Sequence, residues 1–335
     1  MKAWLMDLLA CPTCGNDLRL EASEIGEHGG VKKGVLRSAC GQSFPIIDYI
    51  PRFVKTELYA QSFGIEWNLF PRTQLDRPND GDEKRIIYNL KEVRLGEESR
   101  ESFILKTGIE LSDLEGKLVL DAGCGMGRFS DVCARAGARV VGVDLSQAVE
   151  AAFDNVGFEP NVSIVQADIF NPPFKKGKFD IVFSIGVLHH TPDTRRAFLS
   201  LVPFLKPGGR ISIWVYAKPK WRGRVIPYRY VFSDMIRLVT TRLSEEKLLK
   251  LCEMRARIAP IGDIPIVGKV LRLVCPTSNH PNFEWRVMDT LDWYSPKYQW
   301  KHTEEEVVAW FREAGLTNIE ALQVPVSVTA QKPGC

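Results

Sequence analysis

At 335 residues, with 45% hydrophobic and 25% charged side chains, the chain has the composition of a folded globular protein of more than one unit, which excludes a disordered or fibrous one. Its formal charge of +3 is too small to imply a partner, so only the distribution of charge along the chain is informative. Eight cysteines are too few for a secreted disulfide scaffold, no apolar run approaches the roughly 20 residues of a bilayer span, and Met1 to Ala10 carries Asp7, so a cytoplasmic protein without a signal peptide is expected.

Residues 1–54 read as a small unit. Cys11-Pro12-Thr13-Cys14-Gly15 is followed by Cys40-Gly41, Phe44-Pro45-Ile46-Ile47 and Ile50-Pro51, and short apolar runs between Gly and Pro predict small strands and turns. Residues 55–113 carry the aromatics Tyr59, Phe63, Trp67 and Phe70, then a polar break from Arg77 to Asp82. Ile86, Ile87, Leu90, Val93 and Leu95 follow at helix-like spacing, so a helical lead-in is predicted.

From residue 114 to 330 the pattern alternates strand, Gly-rich turn and helix, the signature of an α/β domain with a parallel, doubly wound sheet. Strands are predicted at Leu118 to Leu120, Val140 to Val143, Ser163 to Val165, Phe179 to Phe183 and Arg210 to Val215. An insertion over residues 217–302 delays the last helix, Thr303 to Ala314, for which Thr303 and Glu306 form a capping box and Gly315 a stop. Two short strands are predicted between Asn318 and Thr329.

The chemistry is written at the carboxyl ends of the first strands. Val119-Leu120-Asp121-Ala122 runs into Gly123-Cys124-Gly125-Met126-Gly127, a turn in which a ligand can approach backbone where any Cβ would clash. The spacing is G-x-G-x-G with an acid ahead of it, whereas dinucleotide enzymes use G-x-G-x-x-G. A carboxylate there repels a pyrophosphate and suits a cationic amino acid group. Asp144, 21 residues after Gly123, ends the second strand where a carboxylate reaches both ribose hydroxyls, and Asp168 follows the third, within reach of an adenine amino group. Each acid alone could be a helix cap or a solvated loop residue, but that does not explain three ending successive strands.

With Phe179-Asp180-Ile181-Val182-Phe183-Ser184, Val187-Leu188-His189-His190-Thr191-Pro192-Asp193 and Leu205-Lys206-Pro207-Gly208-Gly209-Arg210, this set resembles the class I S-adenosylmethionine (SAM)-dependent methyltransferases, type 11-like, over most of residues 114–216 and 303–330. The resemblance implies a Rossmann-like fold with SAM as cofactor. It implies that Asp121, Gly123, Cys124, Gly125 and Gly127 hold the methionine part, Asp144 with Leu145 the ribose, Asp168 with Ile169 the adenine, and that Ser184 forms a wall of the site. Gly186 and His189 stand where quinone-pathway relatives place metal-binding carboxylates, which disfavours metal-assisted catalysis. His189 and His190 follow the fourth strand, near the approach of an acceptor, and are the candidates for a general base. Loop packing is the competing role for both. An NAD-dependent oxidoreductase and a non-catalytic nucleotide-binding module are the alternative functions on the same fold.

The N-terminal pattern resembles the zinc ribbon of the Trm112-like family, in which two Cys-x-x-Cys knuckles bind zinc and the domain partners a methyltransferase. Cys11, Cys14 and Cys40 match, but Arg37 stands where the fourth cysteine belongs, and His28 is the alternative ligand from the spacer. Residues 217–275 hold thirteen Lys and Arg against five acids, interleaved with Trp221, Ile226, Tyr228, Tyr230, Phe232, Met235 and Leu238. Such a surface fits an acidic or lipid-linked small-molecule acceptor and peripheral membrane contact, or solvated charge over a packed cap. No recognisable RNA-binding domain accompanies it, which argues against nucleic acid.

Overall fold

The computed structural model describes residues 1–26, 29–54, 61–76, 85–88, 91–94, 96–218, 220–221, 224–225, 235–259, 277–278 and 280–334. At the N-terminus a short 3-10 turn, Ala3–Asp7, leads into an antiparallel sheet of β1 (Leu18–Ile25), β2 (Val31–Ser38), β3 (Ser43–Ile47) and β4 (Ile50–Pro51), in that order. Alternation decides its faces: Phe44 and Ile46 are buried while Ser43, Pro45 and Ile47 are exposed.

The lead-in is mixed rather than helical. Helix α1 (Gln61–Leu69) and helix α2 (Glu98–Thr107) flank an antiparallel hairpin of β5 (Arg85–Tyr88) and β6 (Lys91–Arg94), paired from Arg85 opposite Arg94 to Tyr88 opposite Lys91. The helix expected through Ile86 and Val93 is therefore corrected to two strands. Ile, Tyr and Val favour extended backbone, and over ten residues a 3.6 period cannot be told from two short strands. Leu90, Leu95 and Tyr59 lie outside the described residues.

The core alternates β7 (Leu118–Ala122), α3 (Arg128–Arg135), β8 (Arg139–Asp144), α4 (Ala148–Ala152), β9 (Val162–Gln166), β10 (Phe179–Ile185), α5 (Thr194–Leu201) and β11 (Leu205–Trp214). A two-residue ladder, β12 (Lys220–Trp221) with β13 (Arg224–Val225), and helices α6 (Glu245–Ile258) and α7 (Phe283–Tyr294) come next. Then α8 (Glu304–Glu313), β14 (Thr317–Ala321) and β15 (Ser327–Gln331) complete the domain. The seven-stranded sheet runs β14-β15-β11-β10-β7-β8-β9, with β7 to β11 parallel and β15 antiparallel to its neighbours. This is the Rossmann-like, doubly wound α/β sheet expected, and all five predicted strands lie within β7 to β11 or overrun their ends by a residue. The capping box at Thr303 and Glu306 is present.

Two features position the site. The chain winds outward from β7 through β8 to β9 and then returns to β10 on the other side of β7, so the crevice above β7 and β10 is the topological switch point where ligands settle in open α/β sheets. Above it, α6 and α7 pack through Leu248, Cys252, Ala256, Val287, Leu291 and Tyr294, a helical cap made from the insertion. Ile226, Tyr228, Tyr230, Phe232 and the basic residues Arg222, Arg229, Lys269 and Arg272 fall outside the described residues.

The N-terminal sheet docks on the free edge of the core. Arg52 pairs in parallel with Gln166 on β9, the Phe53 N–H donates to the Gln166 carbonyl at 2.8 Å, and Arg52 also bonds the Gln166 side chain at 2.9 Å and Glu150 at 2.5 Å. Leu5, Leu9, Phe44 and Ile46 join the same buried cluster as Phe174 and Phe179. An edge strand that would otherwise offer unpaired backbone groups is thus covered. No helix among the described residues is long and apolar enough to cross a membrane.

Candidate active site

Strand β7 ends in a turn that only glycine can make. Gly123 has φ 90°, and a Cβ on it would lie 2.4 Å from the Val187 side chain; Gly125 has φ 52°, and a Cβ there would meet the Trp67 ring at 3.2 Å. The N–H groups of Gly123 and Cys124 donate to the Val143 carbonyl at 2.7 and 2.9 Å, strapping the turn to β8. Asp144, the last residue of β8, accepts from the Gly125 N–H at 3.0 Å, and its other oxygen accepts from the Ser146 N–H and hydroxyl at 2.9 and 2.7 Å. Burial raises the Asp144 pKa and these donors oppose the rise.

A cavity of about 460 Å³ opens over this turn. Gly123, Cys124, Gly125, Asp144, Leu145 and Ile169 line its floor; Ile185, Gly186, Val187, His190 and Thr191 line the β10 side. Trp214, Tyr216, Met288, Asp289, Asp292 and Trp293 close the far wall, and Glu66, Trp67, Gln74 and Lys106 of the lead-in close the last wall with Arg128 and Phe129 at the start of α3.

Seven of the residues singled out in the sequence therefore share one cavity: Gly123, Cys124, Gly125, Asp144, Leu145, Ile169 and His190. Five lie behind it. Asp121 is buried beneath the turn and accepts from the Ser130 hydroxyl at 2.8 Å. Gly127 caps α3 with φ 88°, and Asp168 accepts from the Phe170 N–H at 2.9 Å. The Ser184 hydroxyl donates to the Ala122 carbonyl at 2.7 Å, because alternation turns it into the sheet, so the wall expected of Ser184 is supplied by Ile185, Gly186 and Val187. His189 is fully buried off the cavity, stacked on Tyr216 at 3.9 Å.

The two histidines thus part company. His190 Nδ1 lies 2.9 Å from the Tyr298 carbonyl, which can only accept, so Nδ1 carries the hydrogen and Nε2 of the neutral ring is left as an acceptor. Burial pulls the His190 pKa down to about 4, keeping the ring neutral at physiological pH. Its Nε2 faces Asp292 Oδ1 at 3.7 Å, while the Tyr216 hydroxyl donates to Asp292 Oδ2 at 2.6 Å.

Sequence reasoning missed the remaining charged lining. Burial raises Asp289 and Asp292 to about 6, raises Glu66 well above the carboxylate range, and lowers Lys106, whose Nζ lies 3.7 Å over Trp214, to about 7. A signal existed: Asp289 and Asp292 are three apart on a helix whose buried face carries Trp285, Met288 and Leu291, so they share that face.

In the N-terminal unit the sulfurs of Cys11, Cys14 and Cys40 lie within 4.8 Å of one another, and Cys11 and Cys40 are 3.7 Å apart. Tetrahedral zinc–thiolate bonds of about 2.3 Å require sulfurs about 3.8 Å apart, so the cluster fits that ion. Arg37 is not beside it: the strand alternates, and Arg37 turns outward to Glu21 at 2.7 Å. Ser38 faces inward instead, its hydroxyl 3.3 Å from both Cys14 and Cys40. His28 lies outside the described residues.

Residues 120–213 match the family described as a methyltransferase domain. A ubiquinone biosynthesis O-methyltransferase of Ralstonia nicotianae is 36% identical over 101 residues, which are 29% of this chain and 42% of that protein. A protein of the same name from Pseudomonas paraeruginosa is 33% identical over 107 residues, 31% of this chain and 46% of its own length. The chain spans less than half the length of the curated relatives it matches. Human N-acetylserotonin methyltransferase in complex with SAM aligns over 71% of this chain and 52% of its own at 16% identity, with a TM-score of 0.41. The similarity to methyltransferases is thus carried by residues 120–213.

Asp121 gives the turn a pH dependence. Burial, opposed by the Ser130 bond, raises its pKa from 3.8 to about 7. Between those values the folded state holds a proton that the unfolded state releases, so this group's contribution to stability is present below pH 3.8 and is lost as pH rises through about 7. Asp121→Asn keeps an oxygen for Ser130 and removes the titration. The difference in unfolding midpoint between the variant and the unsubstituted protein is expected to widen in the variant's favour from pH 5 to about pH 8; a constant difference across that range would show that Asp121 does not titrate as described.

Proposed function

We propose that the protein is a SAM-dependent methyltransferase acting on a small-molecule acceptor seated between the glycine turn and α7, and that it methylates oxygen. The observation that carries this reading is one continuous cavity, whose floor is Gly123, Gly125 and Asp144 and whose far wall holds His190, Tyr216 and Asp292. The cofactor, when bound, supplies an activated methyl group on a sulfonium, so the protein mainly aligns a nucleophile and removes its proton.

In this reading Asp144 accepts from the ribose hydroxyls, Leu145 and Ile169 enclose the adenine, and the glycine turn takes the methionine part. Asp121 and Asp168 act from behind as positioning residues. Arg128, held by Ser99 at 2.9 Å and Gln74 at 3.0 Å, presents a guanidinium to the methionine carboxylate. His190 Nε2 accepts the acceptor's proton. Oxygen as the methylated atom is supported by this base and by the relatives' names as O-methyltransferases. The test is calorimetric titration: SAM is expected to bind and NAD not, with Asp144→Ala weakening SAM at least tenfold. Binding of NAD in place of SAM would return the oxidoreductase alternative, and SAM affinity unchanged in the variant would remove Asp144 from the ribose contact.

We also infer that Cys11, Cys14 and Cys40 hold zinc, with the Ser38 hydroxyl on the fourth side. A cytoplasmic location belongs to the same reading, since closely spaced thiols stay ligands rather than disulfides in a reducing compartment. Elemental analysis of chelator-free protein is expected to find about one equivalent of zinc, lost in Cys40→Ala; less than about a tenth of an equivalent would end this assignment.

A second reading concerns where the acceptor is met. Met235, Leu238 and Val239 are 57%, 59% and 62% exposed at the start of the cap, beside the exposed Arg242, an amphipathic basic surface suited to an anionic membrane. On this reading the acceptor is lipid-linked or membrane-associated. Co-sedimentation with phosphatidylglycerol vesicles at low salt, lost at high salt and absent with phosphatidylcholine, is the expected result, and absence of binding at low salt would dismiss it.

A further inference from the structure

We infer that the acceptor carries a protonated amino group, held by the carboxylates of Glu66, Asp289 and Asp292 against aromatic walls. The inference rests on the methyltransferase reading above and adds the charge class of the acceptor.

Glu66 is the starting point. Its residue exposure is 0%, it lies on the cavity wall, and neither carboxylate oxygen has a hydrogen-bond partner. A buried carboxylate without donors is costly, so such a group either holds a proton or awaits a cation that a ligand brings. Asp289 and Asp292 join it from α7 across the chain from α1, so the acidity arises from two distant segments converging on one space. Both already accept hydrogen bonds: Asp289 from the Ser278 hydroxyl at 2.8 Å and from the Gln74 amide at 3.5 Å, and Asp292 from the Tyr216 hydroxyl at 2.6 Å. The Coulombic effect of Asp289 and Asp292 is to raise Glu66 further, which is mutual repulsion across the cavity.

Among the described residues, Arg128 acts on Asp289, and Arg237 and Lys106 act on Asp292. Arg128 is also bonded to the neutral Ser99 and Gln74, and Lys106 lies over the Trp214 ring with its charge weakened by burial. None of these cations offsets Glu66, which is raised by burial and by Asp292 and Asp289. Trp67 and Trp293 add aromatic lining to the cavity, the kind of surface that favours a cation over a neutral group of the same shape, while Arg128 and Lys106 already lie over Phe129 and Trp214. An anionic acceptor would instead add a like charge among three carboxyls. Among the described residues, none of the basic side chains of 217–275 lines the cavity.

The cofactor's own amino group is the rival partner for Glu66, and S-adenosylhomocysteine, which carries the same amino group, separates the two. Protein saturated with S-adenosylhomocysteine is titrated at pH 7.5 with benzylamine, benzyl alcohol and benzoate, three fragments alike in shape and different in charge. Benzylamine is expected to bind at least tenfold more tightly than either of the others. That preference is expected to fall at least fivefold in Glu66→Gln and in Asp289→Asn, while S-adenosylhomocysteine affinity stays within twofold, which also reports that each variant is folded. Equal binding of the three fragments, tighter benzoate, or no detectable binding of any would overturn the inference. So would loss of S-adenosylhomocysteine affinity in Glu66→Gln with near-ultraviolet circular dichroism unchanged, which would assign Glu66 to the cofactor. Failure of the unsubstituted protein to bind S-adenosylhomocysteine at all would instead strike the methyltransferase reading.

Discussion

The bond from the Gly125 N–H to the Asp144 carboxylate, at 3.0 Å, joins the turn after β7 to the end of β8, and the cavity floor depends on it. The same carboxylate also accepts from the first residues beyond β8, so one buried side chain sets both the height of the glycine turn and the path toward α4. Because β7 lies beside β10 at the switch point, the turn in turn fixes Val187, which occupies the space that a side chain on Gly123 would need. A floor with so few free torsions costs little ordering when a ligand arrives, which is how rigid sites convert contacts into affinity.

The half of the cavity proposed to hold the cofactor was legible because it is local. Strand, acid, glycine turn and helix follow one another within about a dozen residues, and parallel strands buried on both faces announce themselves as continuous apolar runs. The acceptor half was not, because Glu66, Lys106, Tyr216 and Asp292 come from four segments that only the fold brings together. Summed charge over residues 217–275 pointed to a basic site, yet a sum over sequence cannot say which side chains turn inward. The pair Asp289 and Asp292 lies beyond that stretch altogether. Arg37 misled in a similar way. Counting back from Cys40 puts a cation at the metal cluster, whereas strand alternation turns Arg37 out and Ser38 in.

The N-terminal sheet touches the core through β9 and the segment around Phe174, and among the described residues none of its members lines the cavity. Its place in the molecule is thus architectural. A metal knotting Cys11 to Cys40 would stiffen the loops at the end of a small sheet whose own core is only a few side chains, and that sheet closes the edge of the larger one.

What makes His190 fit for accepting a proton is the balance between two buried neighbours. With the imidazole pulled to about 4 and Asp292 pushed to about 6, both by burial, the pair at neutral pH is a neutral ring facing a carboxylate rather than an ion pair. Nε2 of that tautomer carries the lone pair that would take up the proton in the proposed reaction. Once the ring takes up a proton, the resulting imidazolium lies 3.7 Å from Asp292 Oδ1, where opposite charges attract by roughly 4 kcal/mol at an effective dielectric of about 20. The attraction exists only after proton transfer has begun, so in the proposed reaction it would favour the transition state over the ground state. Tyr216 keeps the carboxylate aimed by holding its other oxygen, and His189, stacked flat on Tyr216, keeps the tyrosine in place. In the proposed reaction the adjacent histidines divide the work: one would meet the acceptor, and the other supports the residue that orients the counter-charge.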